Sequence, residues 1–275
     1  MTDVINGITM RRLTDSDIDA ASELCRLAGW NQLPNDWRRL RNAEPDGCFA
    51  AVSDDRVVGT VTTTTYGTGL AWIGMMLVHP EFRRMGIGTL LMKQALSFLE
   101  SRNIACIKLD ASPDGFPLYE QLGFHDLWSF HRWHRIGDGS VSRHEPAPKT
   151  IDPGLRDERA FGACRALWLE RLARDSIVVT RPEGFGMLRS GHLASYLGPI
   201  TATETSTAES IVEELLRETS GSVFWDVPSP NQPAQELADK LGFEPVRTLT
   251  RMWTGRQFTP ADESLQFALC DPATG

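Results

Sequence analysis

The sequence predicts an α/β (α+β) protein made of two tandem copies of one unit, and three observations lead to this prediction. Predicted strands and helices alternate along 275 residues, which is long enough for one large or two ordinary domains. A glycine turn links a strand to a helix at residues 78–91. Short motifs of the first half recur in the same order in the second half, as expected for an internal repeat.

Hydrophobic patterning predicts the elements of the first half in chain order. A strand at 8–13 precedes a helix that begins after the cap residues at 14–17, and a second short helix covers about 35–41. The following elements are strands at 49–52, 57–66 and 70–78, a helix from the glycine turn to Ser101, a strand at 106–110, a helix at 116–122 and a strand at 125–133.

The second half follows a segment that is poor in apolar residues and rich in Gly, Pro and Ser, which predicts a linker. We therefore divide the chain into a first copy at 1–136, a linker at 137–149 and a second copy at 150–275. The predicted elements of the second copy are a helix at 160–174, strands at 183–189 and 193–197, a helix at 207–219, a strand at 223–227, a helix at 232–241 and a strand at 246–253.

The repeat itself rests on two pairs of motifs. The residues at 108–113 correspond to those at 224–229, which aligns Asp110 with Asp226. The tripeptide Leu-Gly-Phe occurs at 122–124 and again at 241–243, each time before a strand that ends in Trp. An unrelated α/β domain with a chance Leu-Gly-Phe is the alternative.

The glycine turn has the features of an anion-binding site. Gly86 and Gly88 stand where a strand passes into a helix, so the backbone can approach a ligand closely and the first-turn N–H groups are unpaired. The helix dipole adds positive character, and Arg83 and Arg84 can add charge-assisted contacts. The turn is not a Walker loop, and Leu91 stands where the dinucleotide fingerprint has its third glycine. A tight turn with solvated arginines is the alternative.

The pattern Arg83-x-x-Gly86-x-Gly88 resembles the acetyl-CoA loop of the GNAT (Gcn5-related) N-acetyltransferases, which is Arg/Gln-x-x-Gly-x-Gly/Ala. A second element of that family is matched about thirty residues later by Leu-Tyr-Glu-Gln-Leu-Gly-Phe at 118–124. The order of predicted elements over residues 8–135 is also that of the family. The resemblance implies that each copy is a mixed, mostly antiparallel twisted sheet flanked by helices.

The resemblance further implies acetyl-CoA as cosubstrate and no metal. In the family the cofactor wedges between two splayed strands, which here are those at 70–78 and 106–110. Backbone N–H groups at 76–78 would then polarise the thioester carbonyl. The implied cofactor-binding residues are Met76, Leu77, Val78, Arg83, Arg84, Met85, Gly86, Ile87, Gly88 and Thr89.

Two further roles concern protons. The resemblance gives Tyr119 the role of the acid that protonates the CoA thiolate, with packing against Phe124 as the alternative. The fourth strand lacks the Glu or Asp that family members often use as general base. We take Asp110 as the candidate base, and Asp226, His125 or a chain of water molecules as alternatives.

The acceptor is expected to be a primary amine of a small molecule that attacks the thioester directly. Trp30, Asn31 and Trp37 lie in the early helices that wall the acceptor pocket in this family, so they are candidate substrate-binding residues, with a place in the core as the alternative. A protein or peptide N-acetyltransferase is one alternative function. A non-catalytic acyl-CoA sensor is the other, because the fourth strand has no carboxylate.

The second copy resembles the degenerate C-terminal GNAT-like domain of some bacterial tandem members. It has no Arg-x-x-Gly-x-Gly, and Glu204 would repel a phosphate. We therefore expect one CoA site per chain, with the second copy closing the acceptor pocket; dimerisation is the alternative role for it. We also expect a chain that ends near residue 140, if it is soluble, to keep CoA binding but to lose most of its amine turnover.

The composition limits the remaining classes of function and of binding partner. The net charge of −8 argues against nucleic acid or an anionic membrane as partner and is compatible with a cationic amine. No apolar run reaches membrane-spanning length, and the N-terminus does not resemble a signal peptide. Five scattered cysteines predict reduced thiols rather than a disulfide framework or a zinc site. We expect a cytoplasmic monomer or homodimer.

Overall fold

The computed structural model describes residues 4–5, 7–137 and 154–275. Nearly all of the predicted linker at 137–149 therefore lies outside the described residues. In the first half the elements are β1 (Val4–Ile5), β2 (Ile8–Arg12), α1 (Ile18–Leu27), α2 (Pro34–Ala43), β3 (Cys48–Ser53), β4 (Arg56–Tyr66), β5 (Leu70–Val78), α3 (Ile87–Ser101), β6 (Cys106–Ala111), α4 (Phe116–Gln121) and β7 (His125–Arg135).

The second half repeats this arrangement, except that its described residues have no counterpart of β1 and β2 and that one strand is added at its end. Its elements are α5 (Gly154–Phe161), α6 (Ala166–Ala173), β8 (Ser176–Arg181), β9 (Gly184–Arg189), β10 (Ser195–Ala202), α7 (Thr205–Arg217), β11 (Val223–Pro228), α8 (Gln232–Lys240), β12 (Glu244–Gly255) and β13 (Gln266–Ala268). The predicted mixed, mostly antiparallel sheet flanked by helices is confirmed.

The second half differs from the prediction in three places. The single helix at 160–174 is two helices, because Gly162 has a φ of +91° and the carbonyl oxygen of Pro260 lies 2.3 Å from where a Cβ would stand. Strand β8 was not predicted, since its short apolar run lies between Asp175 and Pro182. The strand at 193–197 continues to Ala202. Its interior Gly198 has a φ of +145° and leaves room for the carbonyl oxygen of Leu269.

The two copies share one continuous sheet in the described part of the chain. Its order is β1-β2-β3-β4-β5-β6-β12-β7-β11-β10-β9-β8, with β13 paired to β10 off this path. Strand β12 of the second copy runs antiparallel to β6, and β7 of the first copy runs antiparallel to β11. The copies therefore exchange β7 and β12, each of which completes the sheet of the other copy, and the sequence did not reveal this exchange.

The exchanged strands carry two reciprocal ion pairs. Arg251 of β12 donates from Nε and Nη2 to the carboxylate of Asp110 at 2.9 and 3.0 Å. Arg132 of β7 donates in the same way to Asp226, with both distances 2.7 Å. All four side chains are buried or nearly so. Because each pair joins one copy to the other, the interface between the copies lies inside the protein core.

The apolar core follows the same arrangement. One cluster under α3 and α4 belongs to the first copy but includes Met252 of β12. A second cluster under α7 and α8 belongs to the second copy but includes Trp133 of β7. A third cluster joins α1 and α2 of the first copy to α6 and β9 of the second. This third cluster surrounds the space in which the candidate acceptor site lies.

Among the described residues, no helix is long and apolar enough to cross a membrane. The same residues contain no group of three or more His, Cys, Asp or Glu side chains placed to hold a metal ion. The cysteines are unpaired, and Cys164 is the exposed one.

Candidate active site

The site begins where two parallel strands separate. Strand β5 pairs with β6 from Leu70 to Trp72. Beyond that point β6 pairs with β12 and β5 pairs with β4, so a gap opens between β5 and β6. A β-bulge adds one residue to β5 opposite Val61, and Met75 in this bulge has a φ of +50°. The bulge re-aims the backbone beside the gap.

The glycine turn stands at the end of β5 and opens α3. Gly86 is the N-cap of α3 with a φ of +80°, and it supplies no side-chain cap. No acidic residue lies in the first turn of the helix. The first N–H groups of α3 therefore have no intrahelical partner and face outward. Space is open around Gly86, since a Cβ there would meet nothing within 4 Å.

The turn, the end of β5 and helix α4 come together around Gly88. A Cβ on Gly88 would stand 3.2 Å from Met76 Cε and 3.3 Å from Leu118 Cδ2. Arg83 holds the turn to the strand, because its Nε donates to the carbonyl oxygen of Val78 at 3.2 Å. The structure thus brings together elements that lie about forty residues apart in sequence.

The other cofactor candidates differ in what they can offer a ligand. The side chains of Leu77 and Ile87 are buried in the core, so they offer only their backbone. Arg84 and Met85 are exposed, and Arg84 has a φ of +63°. Thr89 is half-buried in the first turn of α3. The role of these residues in cofactor binding stays a prediction.

Tyr119 of α4 is buried beside this junction. Its ring makes an edge-on contact with Phe124 at a centroid distance of 6.1 Å. It also packs against Gly115, where a Cβ would come within 2.9 Å of the ring. Burial raises the pKa of Tyr119 to about 12, so the phenol keeps its proton more firmly than an exposed tyrosine. Its environment is compatible with both the packing role and the acid role.

The candidate bases are placed differently from one another. Asp110 and Asp226 each hold a buried arginine of the other copy, and Asp226 also accepts a hydrogen bond from Tyr196 at 2.7 Å. Burial raises the pKa of Asp110 to about 6, while Arg251 opposes that shift. His125 lies exposed at the start of β7. The geometry of the two aspartates suits an ion pair that joins the copies.

A cavity lies between the copies, on the side of β5 that faces α1 and α2. It is narrow: about 20 Å³ of it is open to the centre of a water molecule, and it opens in part to solvent. Its wall comes from residues 31 and 32, α2, the bulge of β5, β7, α6, the end of β9, β10 and residues 271, 273 and 274. Because Met75 of the bulge contributes to that wall, the cavity reaches the point where β5 and β6 separate.

The three candidate substrate-binding residues differ in their position relative to the cavity. Asn31 lines the cavity and ties the copies together, because its side chain bonds to the backbone of Leu193 and Ala194 at 2.7–3.0 Å. Trp30 packs half-buried against the core, and Trp37 is fully buried within it. Neither tryptophan belongs to the described lining of the cavity.

Several lining residues had no signal in the sequence. The polar and aromatic ones include Gln32, Arg39, Trp168, Arg189 and Tyr196. They come from both copies, and the tail of the second copy completes the wall. Trp72 Nε1 donates to the carbonyl oxygen of Pro272 at 3.2 Å, and Ala273 packs on Gly74. A pattern within one copy cannot predict contacts of this kind.

The equivalent gap in the second copy is filled. Strands β10 and β11 pair in parallel from Ser195 to Leu197 and then separate, as β5 and β6 do. Beyond Leu197, β10 pairs with β13 instead. Trp225 of β11 also contacts β13, because its Nε1 donates to the carbonyl oxygen of Phe267 at 2.8 Å. Helix α7 begins at the N-cap Glu204, in place of a glycine turn.

Comparisons with known proteins agree with this architecture. Residues 16–124 match the model of the "Acetyltransferase (GNAT) family", and residues 156–268 match that of the "Acetyltransferase (GNAT) domain". The chain is 24% identical over 255 residues to a Bacillus subtilis (strain 168) protein named "Uncharacterized N-acetyltransferase YitH". That match covers 84% of this chain and 86% of the relative.

Solved structures show the same arrangement over nearly the whole chain. The crystal structure of a protein described as a putative acetyltransferase from Pyrococcus horikoshii superposes with a TM-score of 0.86 and 25% identity. The match covers 99% of this chain and 98% of that one. A tandem GNAT protein from the clavulanic acid biosynthesis pathway has a TM-score of 0.60 and 17% identity, over 93% of this chain and 100% of that chain. The latter likeness concerns the fold alone.

Proposed function

The chain belongs to the GNAT (Gcn5-related) N-acetyltransferase family, with one GNAT domain in each half, and from this premise we propose that its first copy acetylates the primary amine of a small molecule. The chain is thus an acyltransferase of a family that generally uses acetyl-CoA. The proposal adds the acceptor, the site and the roles of single residues.

One observation carries the assignment of the cofactor site to the first copy. There the glycine turn of α3 stands beside the gap between β5 and β6, with Gly88 in contact with Met76 and Leu118. The unpaired N–H groups of the first turn would bind the diphosphate of CoA, since a helix N-terminus favours an anion. Arg84 stands exposed next to them and adds positive charge.

The reaction joins the amine nitrogen to the acetyl carbon, breaks the carbon–sulfur bond, and moves one proton from nitrogen to sulfur overall. Bound acetyl-CoA supplies the acetyl thioester. The backbone N–H groups of residues 76–78 polarise the carbonyl, and Tyr119 holds the proton that the departing thiolate receives. Because Asp110 and Asp226 are engaged with arginines, water in the cavity is the favoured path for the proton that leaves the amine, ahead of His125.

The second copy acts as a wall rather than as a second cofactor site. Its own gap is filled by β13, while its residues close the cavity beside Met75. An enclosed pocket between two units excludes water and positions the amine. We propose one CoA site per chain, in a cytoplasmic monomer or homodimer.

Gly86→Glu tests the cofactor site, because it places bulk and negative charge where the diphosphate would bind. Acetyl-CoA should raise the melting temperature of the wild type, since it binds the folded state, and the substitution should remove that shift. Gly86→Ala is the matched control: it shares the unfavourable positive φ without charge and should keep most of the shift. Calorimetry should give about one CoA per chain. An unchanged shift in Gly86→Glu, or two equivalent sites, would refute the assignment.

The release of free thiol from acetyl-CoA with a panel of amines tests the catalytic step. Small primary amines should release thiol at rates that depend on the amine concentration. If only peptides with free amino groups do so, the acceptor is a peptide. If acetyl-CoA binds but no amine or peptide releases thiol, the chain is a sensor and the catalytic proposal is wrong.

A further inference from the structure

The cavity between the copies has room for only the end of a small molecule. About 20 Å³ of it is open to the centre of a water molecule, whereas a single buried water needs about 10–15 Å³. The space therefore suits about one or two groups of the size of water. An amino group and the methylene that carries it are of this size.

The charged part of the wall is held in place by hydrogen bonds. Arg39 donates from Nη1 to Asp36 at 2.7 Å and from Nη2 to Asp175 at 2.6 Å. Arg189 donates from Nη1 to the carbonyl oxygen of Gly198 at 2.7 Å. Neither guanidinium can swing away from the cavity without leaving these partners, so this part of the wall does not widen easily.

Asp226 fixes two further side chains of the wall. Arg132 donates to its carboxylate from Nε and Nη2, with both distances 2.7 Å. The hydroxyl of Tyr196 donates to the same carboxylate at 2.7 Å. Because a buried charge that loses its partner is costly, these side chains also keep their positions when a ligand enters.

The apolar part of the wall belongs to the protein core. Leu40, Met75 and Ala273 line the cavity, and each is at most 9% exposed, with Ala273 the highest at 6%. Ala273 lies against Gly74, the residue before the bulge, since a Cβ on Gly74 would stand 2.8 Å from Ala273 Cβ. An additional carbon atom at this point would meet closely packed groups, and packed interiors tolerate added volume poorly.

The charges around the cavity favour an acceptor that approaches as a cation. Three arginines line the cavity in the described part of the chain, and each is paired with at least one aspartate. The pairs are Arg39 with Asp36 and Asp175, Arg132 with Asp226, and Arg189 with Asp271. Four carboxylates face three guanidiniums, so this group has a net charge of −1. Such a site attracts an ammonium ion, which loses a proton before its nitrogen attacks.

From the width and the charge of the cavity we infer that the acceptor presents its nitrogen on an unbranched methylene group, as linear alkylamines and diamines do. The amino group and this methylene enter toward the bulge at Met75, and the rest of the molecule stays on the side that opens to solvent. An amine on a branched carbon would place a further carbon against the wall. This inference rests on the proposed function, because it names the substrate class of the same site.

Pairs of isomeric amines test the inference with the full-length protein and acetyl-CoA. Propylamine is compared with isopropylamine, and butylamine with sec-butylamine, so that the members of a pair differ only in branching at the carbon that carries the nitrogen. Each kcat/KM for thiol release is divided by the rate constant of the same amine with acetyl-CoA alone, because branching also slows the uncatalysed attack. We expect the corrected value to be about 10- to 200-fold higher for the unbranched isomer, the range for one carbon group in a pocket.

Leu40→Ala tests the wall itself, because it removes the branched end of a side chain that lines the cavity. The preference for the unbranched isomer should fall about 10-fold. Leu24→Ala is the matched control: Leu24 is buried in the same apolar cluster but does not belong to the described lining of the cavity. It should leave the preference unchanged. Thermal unfolding shows whether both variants are folded; should Leu40→Ala fail to fold, the comparison of isomers with the wild type still decides.

The two proposals fail in different ways. If the wild type acetylates branched and unbranched isomers equally well, or if folded Leu40→Ala keeps the full preference, the inference is overturned and the proposed function stands. An equal fall in preference in Leu24→Ala also overturns it, since the effect would then come from general loosening of the cluster. If no acceptor releases thiol while acetyl-CoA still raises the melting temperature, the proposed function itself is wrong.

Discussion

The succession of elements from α1 to β7 recurs from α5 to β12, but the two copies differ at the features on which the proposed CoA site depends. The first copy opens its central helix with a glycine turn, whereas the second opens it with Glu204. The gap between the separated strands holds β13 only in the second copy. Aligned through Leu-Gly-Phe, Tyr119 corresponds to Ala238. The second copy therefore keeps the fold without the features on which the proposed CoA site depends.

What the second copy retains is structural support for the first. It donates β12 to the sheet of the first copy and Arg251 to Asp110, and it receives β7 and Arg132 in return. It also supplies Trp168 and the tail to the cavity wall. A domain for which we propose no cofactor site can thus remain necessary, because the sheet of the first copy is incomplete without it.

Truncation should give the largest effect in this comparison. A chain that ends at residue 137 lacks β12, so β6 becomes an unpaired edge and Asp110 a buried charge without Arg251. We therefore revise the expectation that a chain ending near residue 140 keeps CoA binding: it should fail to fold. Circular dichroism and gel filtration would show loss of structure or aggregation. A cooperative, CoA-binding fragment would show that the exchange is not required.

Breaking either of the two reciprocal ion pairs should lower the free energy of unfolding by a similar amount. Asp110→Asn and Asp226→Asn each leave an arginine buried without its charge partner, which costs about 3 kcal/mol or more. Urea unfolding of both variants measures this cost. Glu213→Gln is the control, because it breaks an exposed pair with Arg217 in α7, for which less than about 0.5 kcal/mol is expected.

The same variants separate the structural role of Asp110 from the role of general base. If the ion pair is its function, the folded Asp110→Asn enzyme should keep the pH profile of the wild type. Loss of the acidic limb of the kcat profile in Asp110→Asn but not in Asp226→Asn would identify Asp110 as the base. A much smaller cost for one aspartate than for the other would show that the two pairs are not equivalent.

Tyr119→Phe should have a smaller effect than truncation or the loss of an ion pair, because it changes the rate of catalysis and leaves the fold intact. It keeps the ring that packs against Phe124 and removes the proton, so kcat should fall about 10²-fold with little change in CoA affinity. Because the pKa of Tyr119 is about 12, its deprotonation should not lower kcat of the wild type between about pH 6 and 10. Turnover within twofold of wild type, measured where chemistry limits the rate, would leave Tyr119 with the packing role alone.

Local features of this protein could be predicted from its sequence because local physics sets them. Apolar spacing identified α1, α3 and β5, and the glycines at 86 and 88 marked the start of α3. The repeated Leu-Gly-Phe motifs indicated a second copy of the fold. The predicted end of β10 was wrong because of a distant contact: Gly198 interrupts the strand pattern in the sequence, and Leu269 packs against it in the structure.

The sequence by itself thus determined the family, the two copies and the position of the glycine turn, all of which depend on residues close together in the chain. Only the tertiary structure decided which copy owns β7 and β12, what Asp110 binds, and which residues wall the cavity. Those properties join residues more than a hundred positions apart, such as Asp110 and Arg251 or Asn31 and Ala194. Strand pairing and side-chain packing select such partners, and they leave no periodic signal along the chain.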